Sequence, residues 1–176
     1  ERFRPLPDAG AAHRRALGVP DDAFAIGCLT RFNARKRNDV AIDAELRARA
    51  APLGDAAHFV PSSGAEPAEL LSACDVAVFC PSPTEGEPLA ISLGMLTERP
   101  VIATAAEGAT GLVQPGTGAI AAPEHDAAAV AELLAGYRAD PARARAEGQA
   151  GRTMAVARHD PAVVAQLAEA LLDGTP

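Results

Sequence analysis

The sequence predicts an α/β protein with a doubly wound parallel sheet. Short apolar runs alternate with longer segments of helical composition, the order produced by parallel strands with crossover helices. Residues 76–104 hold one complete β-loop-α-β unit, in which an apolar run, a Pro/Gly/Glu turn, an apolar helix and a second apolar run follow one another. In such folds ligands bind at the carboxyl ends of the strands, so this unit marks a site before any residue is assigned a role.

The first half of the chain opens the alternation. Residues 24–29 predict the first strand, and a polar stretch follows over residues 30–38. Residues 39–50 have helical composition, residues 57–60 predict a short strand, and residues 67–74 predict a short helix. These elements lead into the unit at residues 76–104.

One irregularity interrupts this alternation at Ala44 and Glu45. A helix of a βαβ series should lead into a strand before the next helix begins, but here helical composition simply continues. Either the helix is long, or a segment with one strand is missing between Ala44 and Glu45. We favour the missing strand.

The second half supplies two strands of the unit, over residues 76–80 and 101–104, and a glycine-rich stretch after them. That stretch predicts a mobile loop; its glycines are Gly108, Gly111, Gly116 and Gly118. Residues 119–122 predict a last short strand. From about residue 126 the chain is helical: Asp126 caps a helix that reaches Tyr137, and the Asp-Pro pairs at 140–141 and 160–161 each start another.

Composition narrows the class of protein. Of the 176 residues, 48% are apolar, which suits one globular domain spanning residues 1–176. A net charge of −7 argues against binding to nucleic acid or to anionic membrane, and no apolar stretch is long enough for a transmembrane segment. Cys28, Cys74 and Cys80 lack metal-ligand spacing and predict buried thiols in a cytoplasmic protein, without a bound metal. The oligomeric state is not predicted.

A cationic segment follows the first predicted strand. It contains Lys36, the sole lysine of the chain, together with Arg31, Arg35 and Arg37. Arg31 and Lys36 are placed to converge on one anion. The guanidinium group of Arg31 would bind it as a fork of two donors, and the ammonium group of Lys36 as a point charge. The competing interpretation is a solvated basic turn before a helix. A second anion-favouring loop in the same sheet favours anion binding.

That second loop carries Glu85, Gly86 and Glu87 and leads into Pro88 and Leu89. Gly86 allows a ligand to approach the backbone closely. Pro88 begins the following helix at a position where a backbone N–H would have no partner within the helix, so the missing N–H of proline costs no hydrogen bond. Glu85 is placed to accept hydrogen bonds from sugar hydroxyls. The alternative is that Glu85 and Glu87 only complement the helix dipole.

Several chemistries are excluded by the pattern. The sequence shows no Ser-His-Asp or Cys-His arrangement, no Walker loop and no GxGxxG fingerprint. A phosphate-receiver domain needs acidic residues after its first strand, where this chain is cationic.

The motifs, taken in order, resemble a known family. Arg31-x4-Lys36-Arg37, the loop 81–86, the helix of Met95 and the run Arg99-Pro-Val-Ile-Ala-Thr-x3-Gly108 are similar to the C-terminal, donor-binding domain of retaining GT-B glycosyltransferases of family 4, the glycosyl transferases group 1. The resemblance covers residues 3–172. It implies a Rossmann-like half of a GT-B fold whose N-terminal, acceptor-binding domain lies outside this chain.

The resemblance also implies roles for individual residues. Arg31 and Lys36 would hold the diphosphate of a UDP- or GDP-sugar, Glu85 would contact the donor sugar, and the loop from Gly86 to Leu89, including Glu87 and Pro88, would supply backbone groups. It implies sugar transfer with retention of configuration, without metal or cofactor. Because catalysis in this fold occurs between two domains, the chain alone should not turn over.

Three positions depart from the family pattern. Leu93 stands where the family has a second glutamate that contacts the ribose, Glu98 replaces a usual glycine, and Gly111 replaces a frequent acidic residue. These departures keep a second hypothesis open: a degenerate GT-B-like domain that serves as a scaffold or partner module. A sugar-nucleotide epimerase of the same architecture fits the loop spacing less well.

Overall fold

A computed structural model describes residues 3–28, 66–80, 88–121 and 126–173. The described helices are α1 (Pro7–Ala16), α2 (Pro67–Ser72), α3 (Leu89–Leu96), α4 (Glu107–Leu112), α5 (Ala127–Ala139), α6 (Pro141–Arg158) and α7 (Pro161–Leu172). The described strands are β1 (Ile26–Gly27), β2 (Val76–Phe79), β3 (Val101–Thr104) and β4 (Gly118–Ala121).

The four described strands form one parallel sheet in the order β1-β2-β3-β4. Val76 pairs with Ile26 of β1, and Phe79 pairs with Ala103 of β3. Every residue of β2 and β3 is buried. Both faces of the sheet are therefore covered, which explains why these strands read as continuous apolar runs rather than alternating ones.

Helices pack on both faces of the sheet. On one face, Phe79 and Val101 belong to a core cluster that includes Ile91 and Met95 of α3. On the other face, Val76 and Ile102 pack with Tyr137 of α5. Successive residues of a strand point to opposite faces, so the two clusters share the same strands. This arrangement confirms the predicted doubly wound parallel α/β fold.

Aspartates start the three carboxyl-terminal helices, as predicted. The Asp126 carboxylate accepts hydrogen bonds from the backbone N–H groups of Ala128 and Ala129 at the start of α5. Asp140 accepts from the N–H of Arg143 at 2.9 Å, and Asp160 accepts from the N–H of Ala162 at 2.8 Å. Each carboxylate satisfies a donor that the first helical turn leaves unpaired.

The glycine-rich segment after β3 differs from the prediction. Gly108 and Gly111 lie inside α4, where the sequence predicted a loop. Ala109 and Leu112 of α4 are buried against the sheet, with 0% and 2% of their surface exposed. Burial of this apolar face outweighs the low helix propensity of glycine. Gly116 (φ 83°) and the start of β4 at Gly118 do lie outside any helix.

Smaller differences concern the ends of elements. The first strand is confirmed only for Ile26–Gly27, and Pro88 is the N-cap of α3 rather than its first helical residue. Helix α1, which the sequence analysis did not predict, packs against α2. The helix predicted over residues 39–50, the strand over 57–60 and the junction of Ala44 with Glu45 lie outside the described residues.

Two further predictions concern burial and hydropathy. Cys74 and Cys80 are buried, as expected, and Cys28 is partly buried. Among the helices of the described segments, none has the length and hydropathy that crossing a bilayer requires.

Candidate functional site

The candidate site lies at the carboxyl edge of the sheet. Strand β1 ends at Gly27, β2 at Phe79 and β3 at Thr104, and the segments that follow all leave the sheet at this edge. The segments after β1 and β2 carry the residues that the sequence analysis singled out. In a parallel sheet this is the edge where ligands bind.

Helix α3 presents its amino terminus at this edge. Its N-cap, Pro88, is buried and provides no side-chain hydrogen bond, and the N–H of Ile91 bonds the Pro88 carbonyl oxygen at 2.9 Å. The backbone N–H groups of Leu89 and Ala90 have no acceptor among the described residues. Unpaired donors at a helix start attract anions.

The position of α3 is fixed by close packing on the sheet. Ile91 and Met95 are almost completely buried, and Gly94 lies so near β2 and β3 that an added Cβ atom would lie 3.0 Å from the side chain of Val101 and 3.2 Å from that of Ala77. Ser92, also buried, is 3.0 Å from the Nε2 atom of His159 at the end of α6. The body of α3 is therefore packed tightly against the sheet.

A second helix terminus lies beside the first. Helix α4 follows β3 at the same edge, and its N-cap residue is Ala106, whose side chain cannot form a capping hydrogen bond. Helices α3 and α4 contact each other. Two uncapped helix starts at the ends of neighbouring strands create positive potential that one polyanion could occupy.

The sequence alone does not predict this second terminus, because the glycines of residues 105–111 favour a loop. The residues before these two helices do differ from those before the carboxyl-terminal helices. Neither Pro88 nor Ala106 has a side chain that can accept a hydrogen bond from the helix start, whereas all three carboxyl-terminal helices begin after aspartate. Helices α1 and α2 likewise begin without a capping hydrogen bond from the side chain of the N-cap residue, so what sets α3 and α4 apart is their position after β2 and β3 at the carboxyl edge.

The Cys28 thiol, which directly follows β1 at this edge, is uncharged at neutral pH. The pKa of the Cys28 thiol rises to about 12, chiefly because of burial and secondly because of nearby Cys80. At the opposite edge, ahead of β2, burial likewise raises the pKa of Cys74, to about 11. Thiolates therefore do not oppose an anion at the strand ends, and buried thiols of this kind are unreactive.

Two of the predicted site residues fall within the described segments. Pro88 and Leu89 form the start of α3, where 68% of the Leu89 surface is exposed. The predicted residues Arg31, Lys36, Glu85, Gly86 and Glu87 lie outside the described residues. In the described segments, no group of three or more His, Cys, Asp or Glu residues has the geometry of a metal site.

The three departures from the family pattern have defined surroundings. The Leu93 side chain is partly buried and packs against the core cluster of α3 and the sheet. Glu98 adopts a left-handed conformation with φ 59°, which is the conformation that glycine favours. Gly111 lies on the exposed surface of α4 with open space around it.

Comparison with known proteins identifies relatives of this fold. The sequence model of the family described as glycosyl transferases group 1 matches residues 33–140. Comparison with curated proteins found no match. The structural relatives include HepE of Anabaena in complex with UDP, with a TM-score of 0.82 and 22% identity over 98% of this chain and 54% of that chain.

Two other structures extend the likeness. Sucrose-phosphate synthase from Thermosynechococcus elongatus has a TM-score of 0.78 and 27% identity, over 98% of this chain and 49% of that chain. The C-terminal domain of a glycosyl transferase group 1 family protein (LpcC) from Francisella tularensis has a TM-score of 0.63 and 18% identity, over 89% of this chain and 95% of that one. The chain thus spans about half the length of HepE and of the synthase.

Proposed function

We propose, from the premise that this chain belongs to the family of glycosyl transferases group 1, that it is the domain of a glycosyltransferase that binds the nucleotide-diphosphate sugar. The observation that carries the proposal is the pair of uncapped helix starts, α3 and α4, side by side at the carboxyl edge. A diphosphate is the part of such a donor that this potential attracts most strongly.

In this proposal the cationic segment after β1 completes the diphosphate site. Arg31 is the fourth residue after Gly27, so the chain length allows it to remain near the same edge. Arg31 and Lys36 bind the diphosphate oxygens, and the N–H of Leu89 donates from the start of α3. Glu85 contacts the donor sugar, while Gly86, Glu87 and Pro88 shape the loop that approaches it.

The cationic pair acts on the leaving group. When the bond between the sugar and the nucleotide diphosphate breaks, negative charge grows on the departing diphosphate, and Arg31, Lys36 and the helix starts stabilise it. The acceptor hydroxyl oxygen bonds to the sugar on the face that the diphosphate leaves, and the hydroxyl proton passes to an oxygen of the departing diphosphate, so configuration is retained. In this proposal, neither a metal ion nor a cofactor participates.

The acceptor side of the reaction belongs to a second domain. The structure of LpcC from Francisella is described as a C-terminal domain, and its match with this chain covers 95% of the LpcC chain. This coverage supports the proposal that residues 1–176 are one such domain. The N-terminal, acceptor-binding domain then precedes it in a longer cytoplasmic protein. The 176-residue chain alone binds donor without transferring sugar.

One observation favours a second candidate function. The partly buried Leu93 side chain packs against the core cluster, at a position where the family pattern has a carboxylate for the ribose. A lost hydrogen bond to a ribose hydroxyl costs about 1–3 kcal/mol. A degenerate, non-catalytic domain that supports an active partner accounts for this substitution and for Gly111.

Calorimetric titration of the chain with UDP, GDP and their glucose conjugates separates the two candidates. We expect binding of at least one diphosphate, weakened about tenfold or more in Lys36→Ala and in Arg31→Ala, since each removes a charge-assisted hydrogen bond. Arg138→Ala, on the opposite edge, is the matched control and should bind normally. Absence of binding at millimolar ligand, or equal affinity in all variants, would establish the scaffold instead.

A further inference from the structure

A cavity of about 360 Å³ lies at the amino edge of the sheet, opposite the candidate donor site. Its wall includes Phe24 ahead of β1, Asp75 ahead of β2 and Arg99 and Pro100 ahead of β3. The junction of α5 and α6 closes another side. Because these residues precede the strands, nothing that binds here touches the loops that follow them.

Three arginines, Arg99, Arg138 and Arg145, are among the residues that line this cavity, together with four acidic residues. The Nε atom of Arg99 is buried and has no hydrogen-bond partner among the described residues. Burial lowers the pKa of Arg99, and the nearby carboxylate of Asp75 partly offsets this. A buried donor of a charged group without a partner is costly, so an acceptor that entered the cavity would stabilise this end of the sheet.

The carboxylates of the same wall are only partly available to neutralise these arginines. Asp75 accepts hydrogen bonds from the N–H of Ala25 at 2.7 Å and from Arg14 at 3.4 Å. The Glu98 carboxylate lies 3.8 Å from Arg152. The other two acids of the wall, Asp21 and Asp22, are exposed. Arg99, Arg138 and Arg145 form no ion pair with another described residue at this wall.

From this arrangement we propose that the amino-edge cavity is a second binding site, for the phosphate group of a small metabolite. Guanidinium groups bind phosphate oxygens as forks, and three of them suit a doubly charged oxyanion better than a single carboxylate. The volume is at the small end of the range of ligand pockets, so the ligand is no larger than a sugar phosphate. This site is independent of the proposed donor site.

The test is a titration of the chain with inorganic phosphate and with glucose 6-phosphate, at constant ionic strength and with saturating UDP to occupy the donor site. Binding is followed by ³¹P line broadening. Both ligands should bind, and the double variant Arg138→Gln/Arg145→Gln should weaken both at least about tenfold. Both arginines are exposed, so the fold should persist, which circular dichroism checks.

Arg158→Gln provides the matched control, since Arg158 lies on α6 about 20 Å from Arg145 along the helix axis. It should leave phosphate affinity unchanged, whereas Asp21→Asn/Asp22→Asn should tighten binding several-fold by removing repulsion. The proposal is overturned if neither ligand binds, if the arginine double variant binds as the parent does, or if UDP displaces the phosphate. Failure of UDP itself to bind would count against the donor site alone.

Discussion

At the scale of single residues, Glu98 shows how a site helix is terminated. Its N–H bonds the Met95 carbonyl and the N–H of Arg99 bonds the Gly94 carbonyl, each at 3.0 Å. This is the Schellman pattern, which places Glu98 in the left-handed position where glycine is usual. The side chain lies 3.8 Å from Arg152, a partly exposed ion pair of little energetic value. The backbone conformation at position 98, and not the side chain, therefore decides which residue is favoured there.

Glu98→Gly should therefore stabilise the protein. Relief of the left-handed strain outweighs the lost ion pair and the greater freedom of glycine in the unfolded chain, and we expect a gain of about 1 kcal/mol in free energy of unfolding. Urea denaturation measures it. Glu98→Ala is the control, because it removes the ion pair and keeps the strain, and it should not stabilise. Equal effects of the two substitutions would show that φ is not the deciding factor.

At the scale of elements, α6 crosses the turn after α3 at very short range. A Cβ atom added to Gly148 would lie 2.2 Å from the backbone oxygen of Glu98 and 3.4 Å from Pro100. A second glycine of this helix, Gly151, comes near Thr117 and Met95. The two glycines thus set the distance between α6 and the strand that leads to the site. Their lack of a side chain matters because it permits this close contact, not because it permits an unusual backbone conformation.

Gly148→Ala should destabilise the protein by about 1–3 kcal/mol, because the helix must move away from the Glu98 carbonyl group to accommodate the methyl group. Gly111→Ala is the matched control: it lies in α4 with open space around it, and there the higher helix propensity of alanine should add about 0.5–1 kcal/mol. Thermal and urea unfolding of both variants decide the matter. A neutral Gly148→Ala would contradict the observed packing.

The same elements show what the sequence could and could not predict. Strands β2 and β3 were predictable because burial on both faces leaves a continuous apolar run. Helix α4 was not, since its glycines favour a loop locally and only the burial of Ala109 and Leu112 reverses that preference. Helix α1 escaped notice because it buries no large apolar side chain; it is attached through Gly10 and through hydrogen bonds of Arg14.

At the scale of the whole molecule, the two edges of the sheet have different chemical character. The carboxyl edge offers two uncapped helix starts, and the amino edge offers a cavity lined by arginines. The strand order and the loops that follow the strands are visible in the sequence, and they predict a ligand site at the carboxyl edge. The second depends on α5, α6 and the segment before β1 meeting in space, which no local pattern encodes.

The most direct test of the central claim is a map of where a nucleotide diphosphate binds. Amide chemical shifts of the ¹⁵N-labelled chain would be followed during titration with UDP. We predict the largest shifts at Leu89, Ala90 and Gly108, at the starts of α3 and α4, with the amides of Arg99 and Tyr137 unmoved. Shifts confined to the amino edge, or none at saturating UDP, would contradict a diphosphate site between these two helices.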